Sequence, residues 1–139
     1  MEKTLVLIKP DAFAAGNVGN IIKRYEEENF KIVAAKVMQM DKKIAAIHYA
    51  EHREKNFYNN LVEFMTSGPL MAMVLSGENI IAKVREINGA TNPANAAEGT
   101  IRKLYAENGS KNAVHASDSP ESAKREISIF FSEMEIFGG

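Results

Sequence analysis

The sequence predicts an α+β sandwich, helices laid on a mostly antiparallel sheet. Three observations carry the prediction. Aliphatic and β-branched runs recur at residues 4–8, 31–40, 70–75 and 112–114, and each reads as a strand. The segments between them place apolar residues at helical spacing. The 139 residues are 45% hydrophobic, enough for a single domain, residues 1–139, with a core that needs no staples.

The first run, Leu5-Val6-Leu7-Ile8, is ended by Lys9-Pro10-Asp11 and reads as a buried strand stopped by proline. Val18, Ile21, Ile22 and Tyr25 give an amphipathic helix to about Glu28. The second strand carries Ile32, Val33, Val37 and Met38. Residues 42–50 and 57–65 read as short helices, the latter with an apolar face of Phe57, Leu61, Phe64 and Met65. Ser67-Gly68-Pro69 turns the chain into the third strand. A helix over residues 79–87 follows, with Asn88-Gly89 suited to its C-terminal cap. Residues 89–99 have little apolar content and form a long loop, often a functional feature in a compact domain. Residues 101–105 suggest a helical turn. The fourth strand leads into His115, placed in a small polar turn, His115-Ala116-Ser117-Asp118-Ser119. Ser119 at the N-cap and Pro120 at the first position open a final helix with Ala123, Ile127, Phe130 and Phe131 inward. With the middle helices set aside, the order is the split βαβ of a ferredoxin-like βαββαβ sandwich: a four-stranded antiparallel sheet, covering helices and one long loop.

Seventeen basic residues face eighteen acidic ones, which argues against a protein built to coat nucleic acid or an anionic membrane. No aromatic strand motif of a nucleic-acid reader is present. Cysteine is absent, which excludes disulfides, zinc ribbons and thiol nucleophiles and fits a cytoplasmic setting. The apolar N-terminal run is too short for a signal core or a membrane span.

The motif scan removes options before it offers any. Neither a Gly-x-x-x-x-Gly-Lys-Ser/Thr loop nor a Gly-x-Gly-x-x-Gly turn occurs, so phosphate binding would have to use side chains. His48-Tyr49-Ala50-Glu51-His52 matches a His-x-x-Glu-His zinc pattern, but a third ligand is missing, and two histidines on a partly exposed helix is the favoured reading. Lys9 after a strand ordinarily marks the surface. Arg85 and Arg102 flank the long loop and Thr91 sits inside it; together they supply what binding a polyphosphate without a glycine loop requires. Phe57 reads most simply as a core residue, with a stacking platform for a base as the alternative. His115 is by default a structural histidine in a turn; Glu126, at the edge of the final helix's apolar stripe, could orient it.

Taken together and in order, these residues resemble the nucleoside diphosphate kinase family. The anchors are Lys9-Pro10-Asp11, Val18-Gly19, His48-Tyr49, Phe57, Thr66-Ser67-Gly68-Pro69, Ala90-Thr91-Asn92-Pro93, Gly99-Thr100-Ile101-Arg102, Asn112, and His115-x-Ser117-Asp118-Ser119 with Glu121-Ser122-Ala123 and Glu126. The match runs over nearly the whole chain and is similar to the short bacterial type.

The resemblance implies transfer of the terminal phosphate of a nucleoside triphosphate to a nucleoside diphosphate through a phosphorylated His115. It implies that Glu126 holds the ring nitrogen that does not attack, with Ser117 supporting that pair and Tyr49 close by. Arg85, Thr91 and Arg102 would grip the phosphates, and His52 would reach them. Lys9 and Asn112 would contact the sugar hydroxyls, Lys9 also lying near the transferred phosphate, and Phe57 would stack on the base. Mg²⁺ would be held mainly by the nucleotide, with Asp118 at most a water-mediated partner. The expected assembly is a homo-oligomer, tetramer or hexamer. The chemistry is consistent: near neutral pH an imidazole, with a reference pKa of about 6.5, keeps one nitrogen free to attack. A carboxylate on the other nitrogen fixes the tautomer, and phosphoryl transfer then needs mainly positioning and charge neutralisation. The exchange is expected to be ping-pong, with broad base and sugar specificity. Two residues depart from the family pattern. Ala116 stands where glycine is common, acceptable if its backbone avoids positive φ. Gly109 stands where many members offer an apolar side chain opposite the phenylalanine.

Overall fold

The computed structural model describes residues 1–138. Four strands, β1 (Glu2–Ile8), β2 (Lys31–Met38), β3 (Leu70–Gly77) and β4 (Val114–Ala116), form one antiparallel sheet in the order β2-β3-β1-β4. The helices are α1 (Pro10–Ala14), α2 (Val18–Glu27), α3 (Lys42–His48), α4 (Tyr58–Met65), α5 (Ile80–Asn88), α6 (Ile101–Tyr105) and α7 (Pro120–Phe130). The expected antiparallel sandwich is present.

Period-two alternation along β1 divides the core. Val6 and Ile8 pack with Ile21 and Tyr25 of α2, Ile80 and Val84 of α5, and Val114. Leu5 and Leu7 point the other way, to Tyr49, Met65 and Phe130 beside α3, α4 and α7. Helices thus cover both faces, which is why β1 is a continuous aliphatic run rather than an alternating one. Each of its residues from Leu5 to Ile8 is fully buried.

Three local expectations are corrected. Pro10 does not merely stop the chain. It occupies the first turn of α1, where its missing N–H is no loss, with Lys9 as extended N-cap. His115 does not sit in a turn after the fourth strand but inside β4, opposite Leu7 of β1. The strand begins only at Val114 because Ala113 carries φ of 72° and cannot be extended. His48 is not on a partly exposed helix: it closes α3 and is buried, while His52 lies in a separate 3₁₀ turn. The two histidines therefore do not share a helix face, and no group of three or more His, Asp or Glu able to hold a metal ion forms among the described residues.

Candidate active site

A cavity of about 430 Å³ gathers residues from the ends of β1 and β4, from the chain around α3 and α4, and from the segment joining α5 to α6. Lys9, Tyr49, His52, Phe57, Arg85 and Thr91 line it. Arg102, Asn112, His115, Asp118 and Glu126 complete the wall among the residues singled out in the sequence. Ser117 lies behind this wall, fully buried.

One side is a hydrogen-bonded brace. The Lys9 ammonium donates to Asn112 Oδ1 at 2.7 Å. Burial, with the Arg102 charge adding to it, brings the Lys9 pKa down to about 8. Asn112 Nδ2 donates to the carbonyls of Thr91 and Gly109, each at 3.2 Å, tying the long loop to the turn that precedes β4. Arg102, carried by α6, is spread over three backbone carbonyls. Its Nη1 donates to Gly89 O at 2.9 Å, Nη2 to Val114 O at 2.8 Å and Nε to Asn112 O at 3.3 Å. The guanidinium is thereby fixed in place before any anion arrives, a rigid fork rather than a flexible charge.

The opposite side is built on His115. Its Nε2 lies 2.9 Å from Glu126 Oε1, and the Ser117 hydroxyl donates to the same oxygen at 2.9 Å. Ser117 Oγ in turn accepts the Leu5 amide of β1 at 3.2 Å, so the carboxylate on α7 is referenced to the centre of the sheet. Burial alone would raise the Glu126 pKa. The hydrogen bond and charge of His115 outweigh it, with the nearby His48 ring and the Ser117 hydroxyl adding to the effect, and hold the carboxyl below its ordinary value. His115 Nδ1 has no hydrogen-bond partner among the described residues, on a ring that lines the cavity.

His48 supports this ring and was not given a role from sequence. Its ring meets His115 edge-to-face with centroids 5.0 Å apart, and it also packs on Tyr49 at 4.5 Å and Phe130 at 5.2 Å. Burial, reinforced by the neighbouring His115, pushes the His48 pKa down to about 3, so the ring is neutral at physiological pH. Tyr49 lines the cavity itself and also packs edge-to-face on His48. The only sequence signal for His48 was its place beside Tyr49, where the zinc pattern competed for it.

Phe57 is not a core residue. It is half exposed at the N-terminus of α4, with its ring 5.6 Å from that of His52 and Lys55 Nζ 5.7 Å from its centroid. Its position on the helical stripe suggested burial; standing at the N-cap, just before α4, places it beyond the core instead.

An imidazole with one nitrogen held by a buried carboxylate and the other free, in a cavity lined by Lys9, Arg85 and Arg102, can attack an electrophile that carries several negative charges. The comparisons with known proteins agree in kind. The sequence model described as nucleoside diphosphate kinase matches residues 2–136. The chain belongs to the nucleoside diphosphate kinase family. It is 54% identical to the nucleoside diphosphate kinase of Persephonella marina over 136 residues, covering 98% of this chain and 97% of the relative. It is also 54% identical to that of Archaeoglobus fulgidus, covering 98% and 90% of the two chains. Among solved structures it resembles the Aquifex aeolicus nucleoside diphosphate kinase with a TM-score of 0.95 at 46% identity, covering 97% of this chain and 98% of that one. The Halobacterium salinarum enzyme in complex with CDP superposes with a TM-score of 0.96 at 41% identity, covering 99% and 92%.

Nucleoside diphosphate kinase activity, a phosphotransferase acting on nucleotides, follows from these relationships. Both departures from the family pattern have simple local explanations. Ala116 lies in β4 and is not among the positive-φ residues, so its methyl is accommodated. Gly109 lines the cavity, and a Cβ there would meet nothing within 4 Å. The wall at that point is open rather than filled by a neighbour. No helix of the described residues is long and apolar enough to cross a membrane.

Proposed function

We propose that this chain transfers the γ-phosphate of a nucleoside triphosphate to a nucleoside diphosphate by a ping-pong route through phospho-His115. The observation that carries the proposal is the 2.9 Å contact of His115 Nε2 with Glu126, which leaves Nδ1 unpaired in a cavity lined by cations. In the first half-reaction Nδ1 attacks the γ-phosphorus, the N–P bond forms and the bond to the β-phosphate oxygen breaks. The nucleoside diphosphate leaves with the bonding electron pair, and the proton on Nε2 stays shared with Glu126. The second half-reaction reverses these steps onto another diphosphate.

The positions of the other lining residues support the remaining roles. Arg85, Thr91 and Arg102 hold the phosphates, with His52 at their edge. Lys9 and Asn112, already paired, present a donor and an amide to the sugar hydroxyls, and Lys9 also lies toward the transferred phosphate. Phe57 stacks on the base. A flat ring accepts any base, and the open wall at Gly109 adds no edge contact that would select one. Ribose and deoxyribose would both serve. The cavity offers Asp118 at its rim but no cage of ligands, which fits a Mg²⁺ held by the nucleotide phosphates and reached by Asp118 through water. When bound, the ion neutralises charge on the phosphates.

The test is incubation with γ-labelled ATP. Label should enter the protein, be acid-labile, and leave on addition of ADP, GDP or CDP alike. Steady exchange between ATP and GDP with no labelled protein at any time would overturn the proposal.

The Lys9 pKa gives a second expectation. Lowered to about 8, Lys9 is charged at pH 7 and loses its proton as pH rises through that value in the free chain. Diphosphate affinity should therefore weaken several-fold between pH 7 and about pH 9.5, and bound diphosphate should move the midpoint upward by favouring the charged form. Calorimetric titration of ADP across this range checks it. A Lys9→Met variant should bind more weakly and lose this pH dependence.

We also infer self-association into a homo-oligomer, tetramer or hexamer. Val37 on edge strand β2, Leu104 on α6 and Phe137 near the C-terminus are each more than half exposed, and apolar side chains of that size favour burial against another copy. The mass in solution decides between the two assemblies. A cytoplasmic setting would put the chain among its substrates.

A further inference from the structure

The backbone just before β4 is strained. Ala113 is fully buried, has φ of 72°, and is the central residue of a tight turn in which the Val114 amide donates to Asn112 O at 2.8 Å. A γ-turn of positive φ is a rare and costly conformation for a residue with a side chain. Such strain persists only where the surroundings over-determine it. Here two bonds from one short segment do so: the Lys9 amide donates to Ala113 O at 2.8 Å, and Asp11 Oδ2 accepts the Ala113 amide at 3.1 Å. Asp11 is partly buried, and its Oδ1 is shielded from solvent without a hydrogen-bond partner among the described residues. On one side of the strained residue is Asn112, which receives Lys9; two residues beyond it is His115.

We infer that Asp11 is a positioning residue for phosphoryl transfer, clamping Ala113 in its left-handed turn so that Asn112 and His115 are aimed into one cavity. The inference rests on the reading of His115 as the phosphorylated residue. Without the carboxylate, Ala113 relaxes toward ordinary φ and the start of β4 rotates, displacing the imidazole from its line of attack. A misplacement of about 1 Å is enough to cost roughly a hundredfold in rate.

The experiment measures single-turnover labelling by γ-labelled ATP, with ADP affinity measured alongside. Rates are expressed per folded molecule, well below the melting temperature, so that lost stability alone does not register. Asp11→Ala should slow labelling by about a hundredfold. Adding Ala113→Gly should recover at least fivefold, because glycine removes a left-handed penalty equivalent to a roughly 5–30-fold bias. Asp11→Asn keeps an acceptor for the Ala113 amide and should stay within several-fold of the parent. The clamp is overturned if Asp11→Ala labels at the parent rate, if Ala113→Gly recovers nothing, or if Asp11→Asn is as slow as Asp11→Ala. Absence of label in the parent chain would overturn the underlying reading instead.

Discussion

Replacing His115 with alanine should abolish incorporation of label from γ-labelled ATP and lower the exchange rate by on the order of 10⁴–10⁶-fold, the scale seen when a nucleophile is removed from a site whose members act as a unit. The size follows from the route. The cavity of about 430 Å³ brings the cations Lys9, Arg85 and Arg102 together, and its remaining arginine, Arg125, lies 3.9 Å from Glu126 instead of forming a second set. On the proposed route donor and acceptor nucleotides use it in turn, and without a residue to hold the phosphoryl group between visits that route is closed. Nucleotide affinity should change little, since the phosphate, sugar and base contacts proposed above lie on other residues. The fold should survive: His115 is partly exposed, and Glu126 keeps the Ser117 hydroxyl as a partner. Removing a hydrogen-bonding partner from a buried carboxylate is still expected to cost about 1–3 kcal/mol. Persistent labelling of the variant would sink the assignment of His115.

Much of this architecture was legible because its causes are local. Strand β1 is a run of Thr4 to Ile8 whose side chains have apolar neighbours on both faces, so hydrophobicity alone marks it. Helix α7 announces itself by Ser119, whose hydroxyl accepts the Ser122 amide, and by Pro120 behind it. The site residues were found by a different signal, their fixed order along the chain. No periodicity connects Lys9 with Asn112, 103 positions apart, yet they are hydrogen-bonded.

What stayed hidden depends on through-space geometry that one-dimensional patterns do not carry. Proline after a strand looks like a terminator, and whether it also begins a helix depends on where the chain turns next; Pro10 does both. Asp11 stood in a recognisable tripeptide, but its function is to accept an amide 102 positions away, and nothing in its neighbours says so. Ala113 adopts a conformation that its residue type disfavours, so propensity pointed the wrong way and put His115 beyond the strand instead of inside it. Such conflicts between local preference and final structure concentrate at functional sites. Phe57 belongs to the same group: an aromatic ring left half exposed at a helix start, against the usual burial of its type.

Glu126→Gln should lower the rate of His115 phosphorylation by about 10²–10⁴-fold while leaving nucleotide affinity near the parent value. Two effects act together. The carboxylate is a pure acceptor, so it requires the proton on Nε2 and keeps Nδ1 bare; a glutamine can turn its NH₂ toward Nε2, which places the proton on Nδ1 and blocks attack. The amide also lacks the negative charge that stabilises the imidazole ring as it becomes cationic on forming the N–P bond. In the proposed role Glu126 acts on the nucleotide through His115, so the loss belongs to the chemical step, and single-turnover rates should fall while ADP affinity does not. A second readout tests the electrostatics independently. The Glu126 carboxyl is held below its ordinary 4.5, so the unfolded chain takes up its proton first as pH falls. Its contribution to stability is fully present above that value and fades as pH drops through the lower, folded one. Melting temperatures of parent and variant should therefore converge as the solution is acidified below about 4.5, relative to their difference at pH 7. Parent-like labelling by Glu126→Gln at neutral pH would show that His115 is oriented by its packing against His48 alone, and the carboxylate would lose its role.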